Sequence, residues 1–184
     1  ISVSSPEGTR LTFLFIFWLA SRIFKMPAER ATRLFLAYAA LNGLTMSVVF
    51  YFADLPEILL ALFATGAMFG AMSIIGYTTE IDLSRFGGIL LMALIGLIVA
   101  SIANIFFASE TLYWIVTYAG VLIFVGLTAY DTQWIKRNAE QIEMQGVSSE
   151  AAIVRRVAII GALKLYLDFI NLFIYILRIV SSDR

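Results

Sequence analysis

Long, nearly uninterrupted apolar runs decide what this chain can fold into. Six of them, roughly 11–26, 31–53, 56–77, 86–108, 111–135 and 157–180, are separated by short polar stretches. A membrane-spanning helix needs about 20 mostly apolar residues, and backbone groups inside a bilayer must be satisfied within their own segment. The runs therefore predict an all-α polytopic membrane protein with six transmembrane helices in this chain. Composition points the same way: 61% of the residues are hydrophobic and only 14% are charged, where soluble domains carry about 25%. No linker or repeat interrupts the pattern, so residues 1–184 read as a single transmembrane helical domain. Residues 138–150, rich in acids and Gln, read as its hydrophilic cytoplasmic loop.

Local signals sharpen the boundaries. Pro27 and Pro56 fall near expected helix starts, where a missing N–H costs nothing. Asp54 is placed to cap the third span, and Asp82 or Ser84 the fourth. The first residue is Ile1, the first span is short, and Ser2 to Arg10 reads as a polar loop, the pattern expected of a trimmed N-terminus rather than of a signal peptide. The loops alternate in basic content. Arg22, Lys25, Arg30 and Arg33 lie around the first connection, Arg85 lies after the third span, and Lys136, Arg137, Arg155 and Arg156 lie around the last connection. The stretches 53–56 and 108–111 carry acids and no base. The positive-inside rule then makes the basic loops cytoplasmic and leaves both chain ends outside.

The absences narrow the chemistry. The chain has no Cys and no His, which removes thiol nucleophiles, Ser/His proteolysis and His-containing zinc sites from consideration. Net charge is zero, so nothing points to nucleic acid. No cofactor is called for and no enzyme is the leading reading.

Two acids stand out against this apolar background. Asp131 lies in Gly126-Leu-Thr-Ala-Tyr-Asp131-Thr-Gln, and Asp168 in Gly161-Ala-Leu-Lys-Leu-Tyr-Leu-Asp168-Phe-Ile-Asn171-Leu-Phe. A charge in hydrocarbon is costly unless it is paired, protonated or facing water, so such residues are functional candidates. If the two meet, both cannot ionise cheaply and the pair shares a proton. If they do not, Asp131 sits in interfacial water and Asp168 pairs with Lys164, four residues away on the same helix face. Their expected depths differ, with Asp131 about one turn from the end of its span and Asp168 roughly 16 Å into the next.

Lys164, Asp168 and Asn171 form a polar stripe, which predicts that the last helix faces protein or water. Arg22, near the cytoplasmic end of the first span, either reaches Asp131 or snorkels to headgroups. Asn42 and Asn104 are expected in helix–helix hydrogen bonds. Gly66 and Gly70 form a seam of small residues suited to close helix packing. The aromatic residues read mainly as lipid-facing bulk and interface anchors.

The blocks around Asp131 and Asp168, together with Gly76-Tyr-Thr-Thr and Asp82-Leu-Ser-Arg-Phe-Gly, resemble the bacterial branch of the transmembrane Bax inhibitor motif family over essentially the whole chain. The resemblance implies seven transmembrane helices, the first missing here, with the last one central. It implies a pH-sensitive calcium or cation leak in a bacterial inner membrane. Asp131 and Asp168 would form a proton-sharing latch with transient calcium contact, Arg22 would pair with it, and Lys164 and Asn171 would line or support it. Calcium ions, protons and lipid are the partners so implied. Two other classes stand beside this one. One is a non-transporting stress-related regulator that binds a partner such as a membrane protease. The other is a remote one, an intramembrane aspartyl protease, whose glycine-flanked Asp and Pro-Ala-Leu elements are absent from the sequence.

Overall fold

A computed structural model describes residues 53–144 and 151–181, together with positions 33, 36, 37, 39, 40 and 43. By its internal contacts the chain divides into Ile1–Leu41 and Asn42–Arg184. Within the first unit, Arg33, Leu36, Ala37, Ala39 and Ala40 are described, and all are helical. The first expected span lies outside the described residues, and so does most of the second.

Among the described residues, the second unit contains four long helices: α1 (Leu55–Thr78), α2 (Gly87–Phe107), α3 (Glu110–Met144) and α4 (Ala151–Ser181). A 3-10 turn, Leu83–Phe86, precedes α2. All four helices are long and apolar enough to cross a membrane, so the chain is a multi-pass integral membrane protein. Large apolar side chains such as Phe63, Met92, Ile105, Phe106 and Leu122 are exposed along them, as lipid-facing residues must be when lipid replaces a protein core.

Asp54 occupies the N-cap position of α1 as expected, but without a side-chain capping bond. Pro56 stands in the first turn, where a missing donor is harmless. Asp82 caps the 3-10 turn rather than α2, accepting from the Ser84 N–H at 3.0 Å. Among the described residues, Asn104 bonds no other helix. Its Oδ1 accepts from the Ser109 N–H at 3.0 Å across the turn into α3, where Ala108 adopts φ 45°. The Ser109 Oγ in turn accepts from the Leu112 N–H at 3.3 Å.

Two expectations need revision. Of the stretch expected as a loop over 138–150, residues 138–144 are helical and belong to α3, residues 145–150 lie outside the described residues, and α4 is described from Ala151. Asn138-Ala-Glu-Gln-Ile-Glu-Met is polar yet rich in strong helix formers; hydropathy marks where the bilayer ends, not where the helix does. The Gly66/Gly70 seam makes no close helix contact among the described residues, where nothing lies within 4 Å of a Cβ built at either. The close approaches fall elsewhere. A Cβ on Gly76 would collide with the Ala129 backbone, and one on Gly161 would meet Ile135 Cγ1 at 2.6 Å. These two glycines let α1 and α4 lie directly against α3.

Among the described residues, α3 packs against all three other helices, whereas α4 packs against α3 and α1. The apolar core is built chiefly from α3 and α4: Val116, Phe124, Leu172, Phe173, Ile176 and Leu177, with Ala61 of α1 and Leu97 of α2. Phe124 stacks on Tyr175, 5.9 Å between centroids, so part of the aromatic content is core rather than lipid-facing. The buried threonine hydroxyls are satisfied within their own helix, as with the Thr128 Oγ1, which donates to the Phe124 carbonyl at 2.8 Å, whereas the buried Ser73 Oγ meets no partner among the described residues.

Candidate functional site

The helix extensions bring the polar residues to nearly one level. Asp131 lies 13 residues before Met144, and Lys164 lies 13 residues after Ala151. In an antiparallel pair these two positions stand opposite each other, and Asp168 is one turn deeper, about 6 Å at 1.5 Å per residue. The depth mismatch expected from hydropathy came from underestimating both helices.

Asp131 and Asp168 are both buried, 5% and 4% exposed. The Lys164 Nζ donates to Asp131 Oδ1 at 2.6 Å. Lys164 therefore crosses to α3 instead of pairing with Asp168 on its own helix, and Asp131 is not in interfacial water. The same ammonium lies 4.6 Å from the Trp134 ring centre and 5.6 Å from that of Tyr130, positions that favour a cation over the ring faces. The carboxyl groups of Asp131 and Asp168 are within hydrogen-bonding reach of each other. The Asp168 Oδ2 is buried and meets no donor among the described residues. Two carboxylates have only acceptors to offer, so the pair closes a hydrogen bond only when one of them carries a proton.

One turn beyond Asp131, α3 grips the α1–α2 connection. The Gln133 Nε2 donates to the Ile81 carbonyl and its Oε1 accepts from the Leu83 N–H, both at 2.8 Å. Lys136 Nζ donates to the Tyr77 carbonyl at 3.0 Å, in the last turn of α1, where a cation suits the helix dipole. Arg137 pairs with Asp82, whose carboxyl also accepts from the Ser84 hydroxyl at 2.6 Å. The Ser84 hydroxyl first, then its N–H, with Arg137 beyond, hold Asp82 near a pKa of about 2, below its usual 3.8. Gln133, Lys136 and Arg137 are spaced i, i+3, i+4, so one face of α3 carries the clamp. Sequence reading treats Lys136 and Arg137 as basic loop residues and gives Gln133 no role. Their helical spacing is the available signal, hidden by ending the span at 135.

The Bax1-I family model, described as an inhibitor of apoptosis-promoting Bax1, matches residues 9–184. The inner membrane protein YbhL of Escherichia coli strain K12 is 50% identical over 166 residues, 90% of this chain and 69% of the relative. The chain belongs to the Bax inhibitor family. An uncharacterized protein of Borreliella burgdorferi is 39% identical over 183 residues, covering 100% of this chain and 77% of the relative. An uncharacterized membrane protein of Streptococcus pyogenes serotype M3 is 38% identical over 176 residues, covering 96% and 74%. In this Bax inhibitor family chain, Asp131, Asp168 and Lys164 come together. Asn171 turns to its own helix, its Nδ2 donating to the Leu167 carbonyl at 2.7 Å. Arg22 and Asn42 lie outside the described residues. Among the described residues, no cluster of three or more acids or other metal-ligating side chains surrounds the pair.

Proposed function

We propose that this chain forms a pH-sensitive leak for cations, calcium among them, in a bacterial inner membrane, with Asp131 and Asp168 as the gate. The observation that carries the reading is the placement of two buried carboxyl groups on adjacent spanning helices within reach of each other. With one proton between them the acids hold α3 and α4 together. Loss of that proton sets like charges side by side in a low-dielectric site, which favours separation of the helices. Alkaline conditions thus open the path and acid closes it, with Arg22 as the proposed further partner of the closed state. The inner-membrane location draws on the name of the Escherichia coli relative. We read the role as non-enzymatic, since the sequence lacks the glycine-flanked Asp and the Pro-Ala-Leu element of intramembrane aspartyl proteases.

The test is calcium and potassium flux into liposomes carrying the full-length protein, measured from pH 5 to pH 8. Flux rising with pH is expected. Asp131→Asn and Asp168→Asn, which keep the shape but remove the charge repulsion, should each flatten the pH response. An unchanged response in both variants refutes the gate. The family description, an inhibitor of a protein factor, favours a second reading, a partner-binding regulator that transports nothing. Copurification of a specific partner together with no flux in liposomes would establish it.

A further inference from the structure

Lys164 is the residue at this site that a simple pair of acids does not need. Its ammonium is seated by three groups of α3 at once: Asp131 Oδ1 at 2.6 Å, the Trp134 face and the Tyr130 face. A side chain held from three directions is a fixed part of the site rather than a mobile surface charge. Among the described residues, the charged groups that meet there are Asp131 from α3 and Lys164 and Asp168 from α4. The sequence of α1, which packs on both, carries one charged residue, Glu57, and that is in its first turn.

The geometry points to Lys164 as a built-in counter-cation that sets the acid pair for a single positive charge, a proton or a monovalent cation, and against a divalent one. With both acids ionised, the two carboxylates and the ammonium sum to one negative charge. One proton or one monovalent cation makes the site neutral, whereas a divalent cation leaves it positive beside an ammonium in a poorly screened environment. The donor set agrees. Calcium takes six to eight oxygen ligands, yet one of the few carboxylate oxygens here is already occupied by Lys164. Lys164 is thus a selectivity residue for the proposed leak, and its effect on flux rests on that reading.

Two measurements on the full-length protein test this, with Lys164→Met removing the charge and Lys164→Gln removing it while keeping a hydrogen-bond donor for Asp131. In liposomes, the ratio of calcium to potassium flux should rise at least tenfold in both variants and stay near wild type in Lys164→Arg. A ratio unchanged in the variants that fold overturns the inference. In detergent, terbium, a calcium-sized lanthanide, should give luminescence sensitised through Trp134 and Tyr130 in Lys164→Met or Lys164→Gln, little in the wild type, and a weaker signal once Trp134→Phe is added. Equal terbium binding by wild type and variants also overturns it. The expected terbium result with no flux of any cation would refute the leak while upholding the charge preference of the site.

Discussion

Asp82 and Asp131 carry the same carboxyl group into opposite surroundings, and pH should act on them differently. Asp82 is partly exposed and held at a pKa of about 2, first by the Ser84 hydroxyl and N–H and then by Arg137. A folded pKa below the usual 3.8 means its contribution is fully present above about pH 4 and is lost as pH falls toward 2. Between pH 5 and pH 8 Asp82 does not change charge. Asp82→Asn should therefore leave the midpoint of any flux response in that range in place, and should weaken the dependence of thermal stability on pH only on the acid side. Flux titration and melting of the detergent-solubilised protein across pH 2–8 check both. A displaced flux midpoint would place part of the pH response in the clamp. Asp131 and Asp168 are legible in the sequence because a charge in an apolar run is conspicuous. The partner of Lys164 is not, because the i, i+4 spacing to Asp168 offers a local mate. Only the pairing level of α3 and α4 shows that the ammonium goes across.

At the scale of elements, two kinds of glycine separate. Gly76 is a contact point where a Cβ would enter the Ala129 backbone, two residues from Asp131, whereas Gly70 faces open space among the described residues. Gly76→Ala should cost about 1–3 kcal/mol, the usual range for overpacking a filled interface, and should push α1 away from the acid-bearing stretch of α3. Gly70→Ala should be neutral or stabilising by up to about 1 kcal/mol, since Ala restricts the unfolded chain more than Gly does. Melting temperatures of both variants in one detergent test the contrast, and equal losses would refute it. Sequence spacing alone favours Gly66 and Gly70, because a small-residue repeat advertises a possible interface without saying which face is used. Helix existence is far more readable. The spans expected at 56–77 and 86–108 coincide closely with Leu55–Thr78 and Gly87–Phe107. At 135 and 157 the boundaries fail for one reason: good helix formers carry both helices beyond the apolar stretch.

For the molecule in its membrane, the length of α3 carries the argument. Its 35 residues span about 52 Å at 1.5 Å per residue, well beyond a hydrocarbon core of about 30 Å. More than half of the excess of about 22 Å belongs at the end running from Lys136 to Met144, about 13 Å long at 1.5 Å per residue, where the charged residues and the clamp lie. Asp131 is thus only one to two turns inside the boundary on that side, and protons should reach the acid pair from there. We propose from the basic loops that this side is cytoplasmic. The chain has no Cys, so Met144→Cys and Glu110→Cys, both at exposed positions, supply unique labels for the two faces. A membrane-impermeant maleimide applied to whole cells should label Glu110→Cys and spare Met144→Cys. In liposomes of orientation established by the same labels, changing pH on the Met144 side alone should switch the flux, while changing it on the Glu110 side should have little effect. Control from the Glu110 side would mean that the acids are reached through the core of the bundle, and that α3 projects without carrying the sensor to its own end.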